Sequence, residues 1–93
     1  MSINKGQNRR QQKEAAKHEK FIQRIMYEAI LNLRKTHEQS GGRATILTYR
    51  KKDYMQIKKY LEEINDTAEG YNIAVELDNP QLGKNEVRFH YID

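Results

Sequence analysis

Between Lys13 and Gln39 the apolar residues Phe21, Ile22, Ile25, Met26, Ala29, Ile30 and Leu33 recur largely at steps of three and four. That period matches the turn of an α-helix and places them on one stripe. The segment contains neither Gly nor Pro and is dominated by Ala, Glu, Lys, Arg, Leu and Gln, which lose little rotamer freedom in a helix. A helix over 13–39 is therefore predicted. Tyr27 and Leu31 lie off the centre of the stripe and either broaden it or face a partner. Ser40-Gly41-Gly42 ends the helix, with a glycine free to take the left-handed conformation that closes it.

The period then changes. Thr45, Leu47 and Tyr49 alternate with Ala44, Ile46 and Thr48, which predicts a strand over 43–49. Tyr54, Ile57, Leu61 and Ile64 return to helical spacing, broadened by Tyr60, and predict a second helix over 53–66. Asp53 followed three residues later by Gln56 has the form of a capping box. Asn65-Asp66-Thr67 and Gly70 mark its end. Tyr71, Ile73, Val75 and Leu77 alternate with polar or small residues, as do Val87, Phe89 and Tyr91, so strands are predicted over 71–77 and 86–92. Between them Asp78 to Asn85, with Pro80, reads as the loop of an antiparallel hairpin.

The resulting order, α-β-α-β-β, is that of an α+β fold. The two apolar helix faces need a common surface, and a three-stranded, mainly antiparallel sheet with both helices packed on one face provides it. Residues 1–12 hold only Met1 and Ile3 as sizeable apolar groups, too few to offset the entropy of ordering, so a flexible basic arm is expected there. Residues 13–93 then form a single small domain.

Charge sharpens this picture. The 93 residues carry a formal charge of +4, but the excess is uneven: 1–40 balance to +5, 41–70 to +1 and 71–93 to −2. Arg9, Arg10, Lys13, Lys17, Lys20 and Arg24 crowd the first segment, and on a helix Arg10, Lys13, Lys17, Lys20 and Arg24 form one stripe at steps of three and four. A second cluster, Arg50-Lys51-Lys52, sits between a strand and a helix and is flanked by Tyr49 and Tyr54. Basic stripes of this kind follow a phosphate backbone. The two tyrosines could stack on unpaired bases, although their spacing also fits the core.

Little in the chain points to catalysis. Cysteine is absent, which removes disulfides, thiolate metal sites and cysteine nucleophiles. The only serines are Ser2 and Ser40. His18, His37 and His90 show no metal-ligating spacing; a solvated side chain, a helix C-terminal partner and a cross-strand polar residue are their respective expectations. Glu76 and Asp78 share a strand face and could hold a divalent cation, but a charged strand edge explains them equally. Gly41-Gly42 lacks the Lys-Ser/Thr of a phosphate loop. No enzymatic activity, cofactor or metal is expected. A winged helix would need a further helix, an RNA-recognition motif would need two βαβ units, and Arg34 and His37 are one residue too close for an Arg-x-x-x-His signature.

Two functional expectations follow. The first is a small non-enzymatic nucleic-acid-binding or nucleic-acid-associated regulatory protein, with duplex and single strand both open. Its phosphate contacts come from Arg9, Arg10, Lys13, Lys17, Lys20, Arg24, Arg50, Lys51 and Lys52. The second is a protein-binding adaptor or inhibitor, of a kind compatible with a phage or an AT-rich bacterium, docking its amphipathic first helix on an acidic protein surface. No stretch approaches the apolar length of a membrane span, and the N-terminus lacks a signal-peptide core, so a cytoplasmic protein without a membrane partner is expected. Tyr27 and Leu31 could supply a homodimer contact.

Overall fold

The first helix, α1 (Lys5–Ser40), contributes a larger share of the core than any other element, all from one side. In this computed structural model the backbone is described for residues 5–93 and the side chains for residues 17–93. The first residues of the arm expected over 1–12, and the side chains of Arg9, Arg10 and Lys13, lie outside that range. Ile22, Ile25, Met26, Ala29 and Leu33 of the predicted stripe are all buried, while Tyr27 and Leu31 are exposed. The helix stops as expected: the Gly41 N–H donates to the His37 carbonyl at 2.8 Å, and Gly41 takes φ +71. At Gly42 a Cβ would lie 2.6 Å from the Thr36 methyl, so the return of the chain also depends on that position being bare.

Strand β1 (Ala44–Thr48) follows. Next come α2 (Lys51–Lys59) and α3 (Leu61–Glu69), where a single helix over 53–66 was expected. The interruption lies at Tyr60 (φ −109, ψ 25), with no Pro or Gly to announce it. Tertiary contacts override the local helix preference here. The Tyr60 ring packs on the core and meets His18 edge-on at 4.0 Å, and the break allows α3 to run beside the second strand. The start of α2 also differs from expectation. Asp53 and Gln56 do not form the predicted capping box, because the helix begins earlier. Arg50 occupies the N-cap and makes no side-chain cap.

Strands β2 (Ile73–Glu76) and β3 (Glu86–Tyr91) complete the chain. The second is shorter than the predicted 71–77. Tyr71 is exposed instead of core-facing, because Asn72 takes φ 63 and turns the chain out of α3. The sheet order is β1-β3-β2 with both pairings antiparallel. Register places Val87 beside Leu47, and Phe89 between Thr45 and Val75, on the helix-covered face. Phe89, Val87, Ile73 and Val75 meet Ile25, Leu33, Ile57, Ile64 and Ala68 in one core. Ala44, Ile46, Thr48, Ala74, Glu76, Glu86, Arg88 and His90 share the opposite face by the same register. The expected α+β layer is therefore present, with three helices on one side. No helix among the described residues is long and apolar enough to cross a membrane.

Candidate nucleic-acid interface

Helix α2 is built from two unlike faces. Ile57 is fully buried, and Asp53, Tyr54 and Gln56 are partly buried beside it. Lys51, Lys52, Met55, Lys58 and Lys59 fall at positions i, i+1, i+4, i+7 and i+8 and are all exposed. At 100° per residue these five form one outward stripe, four ammonium groups around a thioether. None of the four lysines forms an ion pair among the described residues. Lys59 lies over the Tyr60 ring, its Nζ 5.3 Å from the centroid. With Met55, Gln56 and Lys58, these two residues line a shallow surface depression. Arg50, exposed at the N-cap, extends the charge toward β1.

The one acidic residue of α2 turns away from this stripe. Asp53 Oδ2 accepts from Arg24 Nη2 at 3.1 Å, which ties α2 to α1. Arg24 also lies over the Phe21 ring at 5.2 Å. Its guanidinium is thus committed to structure on one side, although half of the side chain stays exposed at 50%. Lys17 and Lys20, on the same side of α1, are exposed. The Arg24–Asp53 pair consequently joins the two basic segments that the sequence separates.

Tyr49 and Tyr54 are both partly buried and pack against the core. The Tyr49 hydroxyl and Glu28 Oε1 are buried atoms without a hydrogen-bond partner. Burial first, and the Glu28 carboxylate second, push the Tyr49 phenol well above its ordinary range. Packing against the core takes part of each ring out of solvent. Met55, Lys58 and Lys59 are not among the contact residues expected from the sequence. Their signal was the seven-residue repeat of paired lysines in KKDYMQIKK, which becomes legible once the helix is known to start at Lys51.

The histidines occupy three settings. His18, expected in solvent, is partly buried: its Nε2 contacts Glu63 and its ring meets Tyr60. His37 stands in the last turn of α1, as expected for a partner of a helix C-terminus. His90 is the cross-strand polar residue, with Nε2 2.9 Å from Glu76 Oε1. The same oxygen accepts from Arg88 Nη1 at 3.1 Å, and the Asn79 amide donates to Glu76 Oε2 at 3.1 Å. The Asn79 bond leads, ahead of the Arg88 and His90 charges and against the opposing effect of burial, in holding the Glu76 carboxyl below the usual carboxylate range. Glu76 is saturated by these donors, and among the described residues no group of three metal-ligating side chains assembles. Comparison with family models, with curated proteins and with solved structures finds no match.

Proposed function

We propose that this is a non-enzymatic nucleic-acid-binding protein that grips the phosphate backbone with the outer face of α2. One observation carries the reading: Lys51, Lys52, Lys58 and Lys59 are exposed on a single face from which the only carboxylate of the helix is turned away. Ammonium groups in such an array release condensed counterions when they meet phosphates, which supplies affinity without reading bases. Arg50 continues the grip toward β1, and Lys17 and Lys20 continue it along α1. Duplex is the favoured form. Single-strand binding relies on aromatic platforms beside the cations. Tyr49 and Tyr54 pack on the core, Tyr60 is engaged by His18 and Lys59, and the exposed Tyr27 and Tyr71 lie outside the α2 face. Binding is thus sequence-tolerant, and a cytosolic, reducing setting suits the cysteine-free chain.

Met55, 55% exposed at the centre of the lysines, supports a second reading. An apolar side chain ringed by cations also fits an acidic protein surface carrying an apolar anchor. Amide chemical-shift mapping separates the two. Adding a short DNA duplex to the labelled protein is expected to shift the resonances of Arg50 to Lys59 and leave those of Glu76, Arg88 and His90 in place. Absence of shifts at low salt, or shifts confined to other surfaces, overturns the nucleic-acid reading and leaves the acidic protein partner.

A further inference from the structure

The two edges of the sheet are not alike. The Tyr49 N–H donates to the Asn85 carbonyl at 2.9 Å, and the Tyr91 N–H donates to the Arg43 carbonyl at 3.0 Å. These bonds fix the phase of the β1–β3 ladder, so Arg43, Thr45, Leu47 and Tyr49 direct their backbone groups toward β3. The N–H and C=O groups of Ala44, Ile46 and Thr48 therefore point out of the sheet edge, and no hydrogen bond among the described residues engages them. The β2 edge is treated differently. Its outward Val75 N–H donates to Asn65 Oδ1 at 3.0 Å, a side chain supplied by α3, which runs alongside.

The open edge also lacks the usual guards. Ala44–Thr48 reads ATILT, without Lys, Pro, Gly or a bulge, and Ile46 at its middle is 48% exposed on the uncovered sheet face. Such an edge is a template for another strand. We propose that it pairs with β1 of a second copy of this chain, antiparallel about a two-fold axis at Ile46, so that two three-stranded sheets become one continuous sheet. The occupant is set by self-complementarity. In that register Ile46 faces its own copy and Ala44 faces Thr48, and every outward donor of one strand meets an outward acceptor of the other. Ile46 is covered by its symmetry mate on the open face. Arg43 falls opposite Tyr49, and Arg50 opposite Gly42, so no like charges are brought together. This contact is distinct from the one expected at Tyr27 and Leu31, and it does not depend on the phosphate-binding role of α2.

Sedimentation equilibrium across a wide concentration range tests the pairing. The wild-type protein is expected to move from 11.1 kDa toward twice that mass as concentration rises. The I46K variant places a charge on an already exposed position and is expected to stay monomeric. Single cysteines in the cysteine-free chain report the register independently. Under mild oxidation I46C is expected to crosslink, because its Cα atoms would lie about 5.5 Å apart. T48C is expected not to crosslink, since its copies are separated along the ribbon. A wild-type mass of 11.1 kDa at every concentration, a dimer unaffected in folded I46K, or crosslinking of T48C as ready as that of I46C overturns the proposal.

Discussion

At the residue scale, three side chains show how local environment sets behaviour. The Tyr49 hydroxyl is buried beside the Glu28 carboxylate without a well-formed hydrogen bond between them, and a poorly made hydrogen bond leaves much of the cost of desolvation uncompensated. Replacing it by Phe is expected to leave the stability to denaturant unchanged or slightly raised at neutral pH; a loss above about 1 kcal/mol would show that the hydroxyl is bonded. The sign of the alkaline effect follows from the raised phenol. Above about pH 10 the unfolded tyrosine ionises while the folded one stays neutral, so stability falls as pH rises, and Tyr49→Phe removes that share of the fall. Glu76 runs the other way. Its carboxyl is lowered in the fold, so its contribution is present above the ordinary carboxylate range and is lost as pH drops through the lowered value. Glu76→Gln is expected to lose less stability in acid than the wild type, by below about 1 kcal/mol because the Arg88 and Glu76 side chains are 33% and 36% exposed and so screened by solvent. Asp53 supplies a functional counterpart. Removing its charge with Asp53→Asn frees Arg24 and is expected to tighten duplex binding at low salt, measured by anisotropy, while costing about 1 kcal/mol of stability or less.

Elements were legible in the sequence where one signal dominated. The α1 stripe, the stop at Gly41 and the alternation of β1 and β3 all depend on period and on one special backbone conformation, and both are local properties. The break at Tyr60 was not legible, because it arises from contacts with His18 and the core that are distant in sequence. The early start of α2 was hidden for a related reason. Asp53 looks like a cap, but its carboxylate is held by Arg24, and no local pattern reveals that partner. This affects the candidate site directly. With a start at Asp53, Lys51 and Lys52 lie outside the helix and have no fixed relation to Lys58 and Lys59. With the start at Lys51, all four share a face. The inner face of α2 makes the contrasting prediction. Ile57→Ala is expected to cost about 2–5 kcal/mol, a large part of the stability of a small domain, whereas Met55→Ala on the outer face is expected to be nearly neutral in thermal unfolding.

At the scale of the whole molecule, the sheet has one face covered by helices and one face open, and the formal charge of +4 is distributed unevenly over this frame. The helical side carries the α2 lysines and the exposed cations of α1, while the open face balances Arg88 and His90 against Glu76. An anionic polymer would therefore meet α2 rather than the sheet, and potential as well as contact would direct the encounter. The most direct test is a fluorescence anisotropy titration of labelled duplex DNA at several salt concentrations, with single-stranded DNA and RNA in parallel. The wild type is compared with a folded variant carrying alanine at Lys51, Lys52, Lys58 and Lys59. The account predicts a steep fall of affinity with salt, preference for duplex, and a log–log slope reduced by about 3 to 4 in the variant, one increment of roughly 0.9 per lost phosphate contact. Equal affinity and slope for the two proteins, or no binding by the wild type even at low salt, would contradict it.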